Sequence, residues 1–433
     1  MKNSFHSFEE VNHFLNSIPM FGQTGSLAAN FNLNRMKRFC TEMGNPQKKF
    51  RSVHVAGTNG KGTVCRMLAS VYQQSGYKTG IYTSPHLTDI RERFRINGSE
   101  IEIDSMILFF NTFGTHIAEF RYTYFEITTA IAFWYFAKEK VDIAMIETGL
   151  GGRLDATNVI DPELSIITSI GLDHTDLLGN TLGSIAFEKG GIIKEGKPVV
   201  TGNLPVEAET VIKKIVLKKN SNILKASDCE PVFENGKVKL KGVYPPVEIE
   251  NCLQRKTDAV NTAMVFQAVD LLSGILPVTK DDFVRGIQQM STIFSKTGTF
   301  EALIPGKKWY FDGGHNSEAV HYITEQMLQI APPEKWTVVL SFITDKLNQE
   351  IADYWNQFPE LYLFQLDSVR AASIEQMTPF FPEASIITGE GVTALNQFKT
   401  ELVIFSGSFY FYNTVSKWMG TMVASENKSF RRR

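Results

Sequence analysis

No stretch constrains the fold of this chain more than Val53-His-Val-Ala-Gly-Thr-Asn-Gly-Lys-Gly-Thr63. Val53 and Val55 alternate as in a short strand, and the run then breaks at Gly57, Thr58, Asn59, Gly60, Lys61, Gly62 and Thr63. Val64, Met67, Leu68, Val71 and Tyr72 recur at helical spacing until Gly76 stops the helix. Strand, glycine-rich turn, lysine, hydroxyl and helix make the layout of a phosphate-binding loop. Glycines let backbone N–H groups turn inward around phosphate oxygens, the helix N-terminus adds positive potential, and the lysine reaches the terminal phosphates. ATP binding is the expectation. The strict pattern wants Ser or Thr directly after the lysine, whereas here Gly62 intervenes and Thr63 carries the hydroxyl. A β–α turn that merely needs flexible residues would use the same glycines.

At 433 residues the chain is too long for one ordinary core, so two domains are expected, 1–296 and 297–433. Hydrophobic residues at 43% and charged residues at 21% fit a soluble globular enzyme. A net charge of −2 argues against nucleic acid or acidic membranes as partners. The basic end, Lys428 to Arg433, reads as a short solvated tail. Cys40, Cys65, Cys229 and Cys252 are scattered, which argues against a disulfide framework or thiolate zinc site and fits a reducing cytoplasm. The N-terminus is too polar for a signal peptide, and the most apolar patch, Ala130–Ala137, reads as a buried helix segment rather than a membrane span.

Short β-rich runs alternate with amphipathic stretches, the mark of βαβ units and a mostly parallel sheet. Strands are expected at Val53–Val55, Lys78–Tyr82, Val141–Glu147, Leu164–Ser169 and Pro198–Thr201. Ligands gather at the carboxyl ends of such strands. Lys61, Ser84, Glu147 and His174 all fall just past one, so they could converge on one crevice. Residues Asn222–Pro246, broken by Asn235-Gly236 and Pro245-Pro246, suggest a small antiparallel insertion. A helix follows with Asn261, Val265, Ala268 and Leu272 on one face, and Phe294–Phe300 is a plausible interdomain hinge. Strand–helix alternation then restarts at Trp309–Phe311, Thr337–Ser341, Leu361–Phe364 and Leu402–Phe405, a second, smaller Rossmann-like α/β domain.

Four further clusters carry chemistry. Glu147 ends a hydrophobic strand and precedes a glycine-dense turn, a placement suited to Mg²⁺, which prefers oxygen ligands and keeps waters and phosphates as partners. His174 follows another strand beside Asp173; such a histidine is a functional candidate or a simple cap. Lys189 lies in Phe187-Glu-Lys-Gly-Gly191, where the residues alone favour plain surface charge over a phosphate-binding cation or a modified amine. Asp312 and His315 lie in Asp312-Gly-Gly-His-Asn316 and could face a cleft, but an Asx-type turn with a helix cap explains them equally. Ser84 could add a metal-bound oxygen, and Phe125 an apolar wall for a flat ring.

Taken together, Gly57–Thr63, Ser84-Pro-His-Leu87, Thr123-Tyr-Phe-Glu126, the Glu147–Asn158 segment, Asp173-His-Thr175, Glu188–Ile192, Asp312–Asn316 and Ser406-Gly-Ser408 resemble, in order, the motifs of the bacterial folylpolyglutamate synthase/dihydrofolate synthase family. That family is a branch of the Mur ligase superfamily. The resemblance spans roughly residues 30–410 and implies a Mur ligase-like fold. It implies a cytoplasmic, monomeric ATP-dependent ligase that joins a folate-type carboxylate to the amine of L-glutamate. ATP and Mg²⁺ would be required, with K⁺ as a possible further ion. By residue match, Lys61 and the loop amides would hold the β- and γ-phosphates. Ser84 and Glu147 would ligate one Mg²⁺, and Glu147 would share a second with His174. Lys189 would be carbamylated. Asn261, Asp312 and His315 would serve nucleotide binding and the closed catalytic state. Thr123, Phe125 and Asp155 would lie near the pteridine.

One departure stands out. Where the family has Gly-Arg-Phe/Met-Glu, this chain has Gly298-Thr299-Phe300-Glu301, and Thr299 supplies neither charge nor a bidentate donor. Either another cation such as Lys296 substitutes, or ATP binding and closure are weakened. Gly314, where alanine is common, is a milder departure. Two other functions compete: a Mur-type ligase acting on another acid, and a non-catalytic nucleotide-binding protein. With only about fifty residues ahead of the loop, a cell-wall ligase with a UDP-binding domain there is not expected. Thr299 is the sole support for the non-catalytic alternative.

Overall fold

The computed structural model describes residues 4–18, 32–250, 255–387, 395, 397, 398 and 400–430, with 424–430 as backbone. It divides into two compact units, Met1–Ser295 and Lys296–Arg433. Cys252 and residues 431–433 lie outside the described residues.

The first unit begins with α1 (Phe8–Asn16) and α2 (Leu33–Glu42), then β1 (Arg51–Ala56), α3 (Lys61–Gln74), β2 (Thr79–Tyr82), β3 (Phe94–Ile96) and β4 (Ser99–Glu100). Helices α4 (Ile103–Phe120) and α5 (Tyr124–Lys138) lead to β5 (Ile143–Glu147) and β6 (Leu164–Ile167). A short α6 (Thr175–Leu178), α7 (Leu182–Gly190), β7 (Val199–Thr201), α8 (Val206–Lys218) and β8 (Ile223–Lys225) follow. Among the described residues these strands form one sheet in the order β4-β3-β2-β5-β1-β6-β7-β8. All are parallel from β2 to β8; β3 and β4 pair antiparallel at the edge.

The sheet is covered on both faces, which is why its central strands are apolar rather than alternating: β5 is buried at every position and β1 at all but its first. One face packs on α3 and on the two helices α9 (Lys256–Leu271) and α10 (Lys280–Ile293). The other packs on α2, α4 and α5. The expected buried segment at Ala130–Ala137 is the heart of α5, whose residues 126–133 are all buried. Among the described residues no helix is long and apolar enough to cross a membrane.

The antiparallel insertion exists but is displaced from its expected bounds. Ile223–Lys225 pairs parallel with β7 and so completes the main sheet. The insertion is instead β9 (Pro231–Glu234), β10 (Lys237–Leu240) and β11 (Val247–Glu250). Asn235 and Gly236 both take positive φ, 53° and 73°, the requirement of a two-residue hairpin whose twist matches its strands.

The second unit contains β12 (Glu301–Ala302), β13 (Lys308–Asp312), α11 (Ser317–Ile330), β14 (Trp336–Leu340), α12 (Gln349–Trp355), β15 (Glu360–Leu363), α13 (Ile374–Met377), β16 (Ser385–Ile386), β17 (Leu402–Ser406) and α14 (Tyr412–Phe430). Its sheet runs β12-β13-β17-β14-β15-β16, parallel except for β12. Val338, Leu340, Ile404, Trp336 and Trp355 anchor its own core.

Candidate nucleotide and acyl-transfer site

β1 ends at Ala56 and α3 starts at Lys61, with Gly60 at φ 85° in the cap position and no side chain capping the helix. The first N–H groups of α3 are therefore left for a ligand, and the helix dipole favours an anion there. The loop between is laced to the segment that follows β6. Thr58 N donates to Ser169 O at 2.9 Å, Asn59 N to Ser169 Oγ at 2.9 Å, and Thr168 Oγ1 to Asn59 O at 2.6 Å. A Cβ on Gly57 would stand 1.8 Å from Thr168 Oγ1, so this close approach requires glycine. Thr168 and Ser169 were not singled out from sequence. From sequence they fall at the end of the strand expected over Leu164–Ser169, whereas the strand stops at Ile167 and frees both hydroxyls for the loop.

Lys61 Nζ donates to Gly57 O at 3.0 Å and Thr58 O at 3.1 Å. Lys189, expected as surface charge from the residues alone, is only 5% exposed, which corrects that expectation. α7 packs on α8 and turns Lys189 inward, where Nζ donates to the same Gly57 carbonyl at 2.8 Å. Its pKa is pushed down to about 7, first by burial and then by the charge of Lys61, against the pull of Asp173 and Asp155. Asn261, 6% exposed on α9, also reaches this loop: a Cβ on Gly60 would lie 3.0 Å from its Oδ1.

Glu147, the last residue of β5, is 4% exposed, and its Oε2 accepts Ser84 N at 3.1 Å. Burial pushes its carboxyl up, while Lys61, the Ser84 N–H, Arg66 and Arg93 pull it down. Arg66, which sequence did not single out, lies one helical turn beyond Thr63. A Cβ on Gly62 would be 3.0 Å from Arg66 Nη1 and 3.5 Å from Glu147 Oε2, so guanidinium and carboxylate flank the same glycine. Among the described residues no three of His, Cys, Asp and Glu converge as a metal cage. A buried carboxylate beside a serine, at the mouth of a phosphate loop, fits Mg²⁺ that takes its other ligands from water and phosphate.

His174 takes φ 49° and opens α6. Its Nε2 stands 3.9 Å from Asp173 Oδ2, and its backbone N–H donates to Asp173 Oδ1 at 2.9 Å.

Phe125 and Asp155 both meet the glycine turn after β5, and Thr123 starts the helix that carries Phe125. Thr123 caps α5: its hydroxyl accepts Glu126 N at 3.2 Å, and Glu126 Oε2 accepts Thr123 N at 2.8 Å. Glu126 is held in turn by Arg35 at 3.1 Å. The Phe125 ring lies over Gly149, where a Cβ would meet Cζ at 2.3 Å. Asp155 is buried, and both its oxygens are engaged. Oδ2 accepts Gly149 N and Leu150 N, each at 2.9 Å, and Oδ1 accepts Thr157 N at 3.0 Å and Thr157 Oγ1 at 2.5 Å. A carboxylate has about four lone-pair sites, so Asp155 serves to shape the turn on which Phe125 rests.

In the second unit, Asp312 Oδ1 accepts Gly314 N and Oδ2 accepts Phe300 N, both at 2.8 Å. Asn316 caps α11 through Ala319 N at 2.9 Å, and His315 Nδ1 is 3.0 Å from Gly313 O. The turn-and-cap geometry foreseen for this segment is present. Asp312 also ties down the loop carrying Thr299, aided by Glu301 Oε2, which accepts Thr297 N at 2.7 Å and Gly298 N at 2.8 Å.

Residues 55–244 match the Mur ligase middle domain family. The chain is 32% identical over 408 residues to a dihydrofolate synthase/folylpolyglutamate synthase of Bacillus subtilis, covering 89% of this chain and 94% of that one. The structure of Escherichia coli FolC in complex with DHPP and ADP superposes with a TM-score of 0.82 at 26% identity, covering 97% of this chain and 99% of that one. A bifunctional folylpolyglutamate synthase/dihydrofolate synthase with Mn, AMPPNP and L-glutamate bound gives a TM-score of 0.81 at 27% identity over 96% and 98%.

Proposed function

Because the chain belongs to the dihydrofolate synthase/folylpolyglutamate synthase family, we propose a division of labour among its own residues for ATP-dependent ligation of L-glutamate to the carboxylate of dihydropteroate, of folates, or of both. The observation that carries it is the convergence of the Lys61 and Lys189 side-chain nitrogens on the Gly57 carbonyl at the mouth of the loop.

A carboxylate is a poor acyl donor, so the γ-phosphoryl group of ATP first converts it to an acyl phosphate. The amine of glutamate then attacks the acyl carbon and inorganic phosphate leaves. The open N–H groups of α3 and the loop amides cradle the phosphates. Lys61 leaves its loop carbonyls to neutralise charge as the phosphoryl group moves, a task of positioning and electrostatics. Glu147 and Ser84 would hold Mg²⁺, which supplies further charge neutralisation when bound, and His174 is assigned to a second such ion. Asn261 meets the nucleotide from α9. Asp312 and His315 are assigned to the nucleotide and the closed state, and Thr123, Phe125 and Asp155 to the flat ring of the acid.

Lys189 is assigned as the site of a carbamate. A pKa of about 7 leaves much of the amine neutral near physiological pH. The lone pair of that neutral amine can bond the carbon of CO2 with release of one proton, which leaves an anion; counted from the ammonium form, two protons are released. K⁺ dependence, a monomeric state and a cytoplasmic location complete the proposal.

The test is ADP release with MgATP and L-glutamate, with and without 7,8-dihydropteroate, then with tetrahydrofolate. Turnover that needs dihydropteroate assigns dihydrofolate synthesis, and added turnover with tetrahydrofolate assigns both activities. ATP binding without turnover on either acid would move the substrate elsewhere or show that Thr299 has cost catalysis.

A further inference from the structure

His54 lies on β1, opposite Ile146 of β5 and Ser165 of β6, and is fully buried. Its Nε2 is 2.8 Å from Thr157 Oγ1, and Thr157 Oγ1 is 2.5 Å from Asp155 Oδ1. His54 Nδ1 is buried and has no hydrogen-bond partner among the described residues. Burial, with the nearby charge of Lys194, holds His54 well below its ordinary range, so the ring is neutral and carries one N–H. Lys194 itself is bound to Asn158, to O at 3.1 Å and Oδ1 at 2.8 Å. A proton on Nδ1 would be a buried donor with nothing to accept it, rarer in folded proteins than an unpaired acceptor. The proton therefore sits on Nε2 and is donated to Thr157 Oγ1. Thr157 must then direct its own hydroxyl proton to Asp155 Oδ1. The chain of bonds runs one way, from the core to the carboxylate, and each bond polarises the next.

We propose that His54 is a positioning residue for the acid substrate, acting through the Thr157 hydroxyl on Asp155 and so on the Gly149–Leu150 turn beneath Phe125. It rests on placing Asp155 at the acid's site. Asp155 pins the Gly149 and Leu150 amides, and Phe125 lies against Gly149, so slack in the chain reaches the wall for the flat ring. Lys61 is not part of this hydrogen-bond chain: its partners are the Gly57 and Thr58 carbonyls. A plain core role would have a different signature. β1 leads directly into the phosphate loop, so loosened packing there would weaken ATP and acid alike.

The test compares His54→Leu, His54→Gln and Thr157→Val with the unaltered enzyme. KM is measured for 7,8-dihydropteroate, tetrahydrofolate and MgATP, with AMPPNP affinity by calorimetry and the His54 tautomer by 15N NMR. Loss of one hydrogen bond predicts a KM for the acid raised about five- to tenfold in His54→Leu, with KM for ATP and AMPPNP affinity unchanged. Gln, whose amide can donate from near the Nε2 position, restores the acid KM. The Leu/Val double variant is no worse than either single one. Equal rises for ATP and acid, or a Gln variant no better than Leu, overturn the proposal. So does a proton found on Nδ1. If the unaltered enzyme turns over neither acid, the assigned function fails while the 15N spectrum still decides the chain. An Nε2–H resonance that moves in Thr157→Val upholds it, and an Nδ1–H resonance overturns it. If His54→Leu does not fold, Gln and Thr157→Val carry the comparison.

Discussion

Two lysines share the carbonyl of Gly57, and only one of them could be understood from its neighbours in the chain. Lys61 announces itself by position in a phosphate loop. Lys189, between Glu188 and Gly190, looks like surface charge until α7 buries it. Its folded pKa, about 7, lies below the 10.5 of an unperturbed lysine. Between those values the unfolded chain binds the extra proton, so this group makes the protein more stable as pH rises from about 7 toward 10. Lys189→Met should flatten that slope, read as urea midpoints at pH 7 and pH 9. In the native enzyme, 13C-bicarbonate should give a protein-bound carbamate signal that weakens from pH 8 to pH 6 as the amine protonates. The signal should be absent in Lys189→Arg, together with a fall in kcat of about a hundredfold or more. Glu147→Gln keeps the shape and the Ser84 contact but removes the charge. It should leave Mg²⁺-free nucleotide binding intact and abolish the gain in affinity that Mg²⁺ brings, read by calorimetry.

At the scale of elements, the turn after β5 is held by the Asp155 carboxylate and by the Phe125 ring on Gly149, while the cap at Thr123 fixes the start of the helix that carries that ring. Gly149→Ala should destabilise the first unit by about 1–3 kcal/mol, because its Cβ has no room beside Phe125. Phe125→Leu in the same chain should recover most of that loss in thermal unfolding while raising the KM for the acid. Thr123→Ala should cost about 1 kcal/mol, less than Gly149→Ala, since Glu126 keeps its bond to Arg35. The strands bearing these turns were legible in sequence because a parallel sheet covered on both faces must be written in apolar runs. Where strand β8 belongs was not legible. Ile223–Lys225 is short and could have paired either way, and only its alignment beside Val199–Thr201 assigned it to the main sheet.

For the whole molecule, Thr299 is the residue whose effect is least local. Its loop is tied to the second unit by Asp312 and Glu301, so a longer side chain there would be presented from a fixed backbone. Thr299→Arg should lower the KM for MgATP about tenfold, the worth of a charge-assisted bidentate bond. Lys296→Ala should raise that KM if the lysine now stands in for the missing cation. No change from either would mean that this loop does not meet the nucleotide. The sequence by itself determined the phosphate loop, the order of the strands' chemistry and the family, because glycines, strand-end carboxylates and apolar runs act at fixed spacing along the chain. Tertiary structure alone decided which distant groups share an atom. Lys189 meets Gly57, Ser84 meets Glu147, and His54 meets Thr157 because the sheet order places β2 and β6 on either side of the β5–β1 pair. Burial then sets their charge. A side chain's pKa and its proton depend on what surrounds it in space, and the chain's own order of residues does not carry that information.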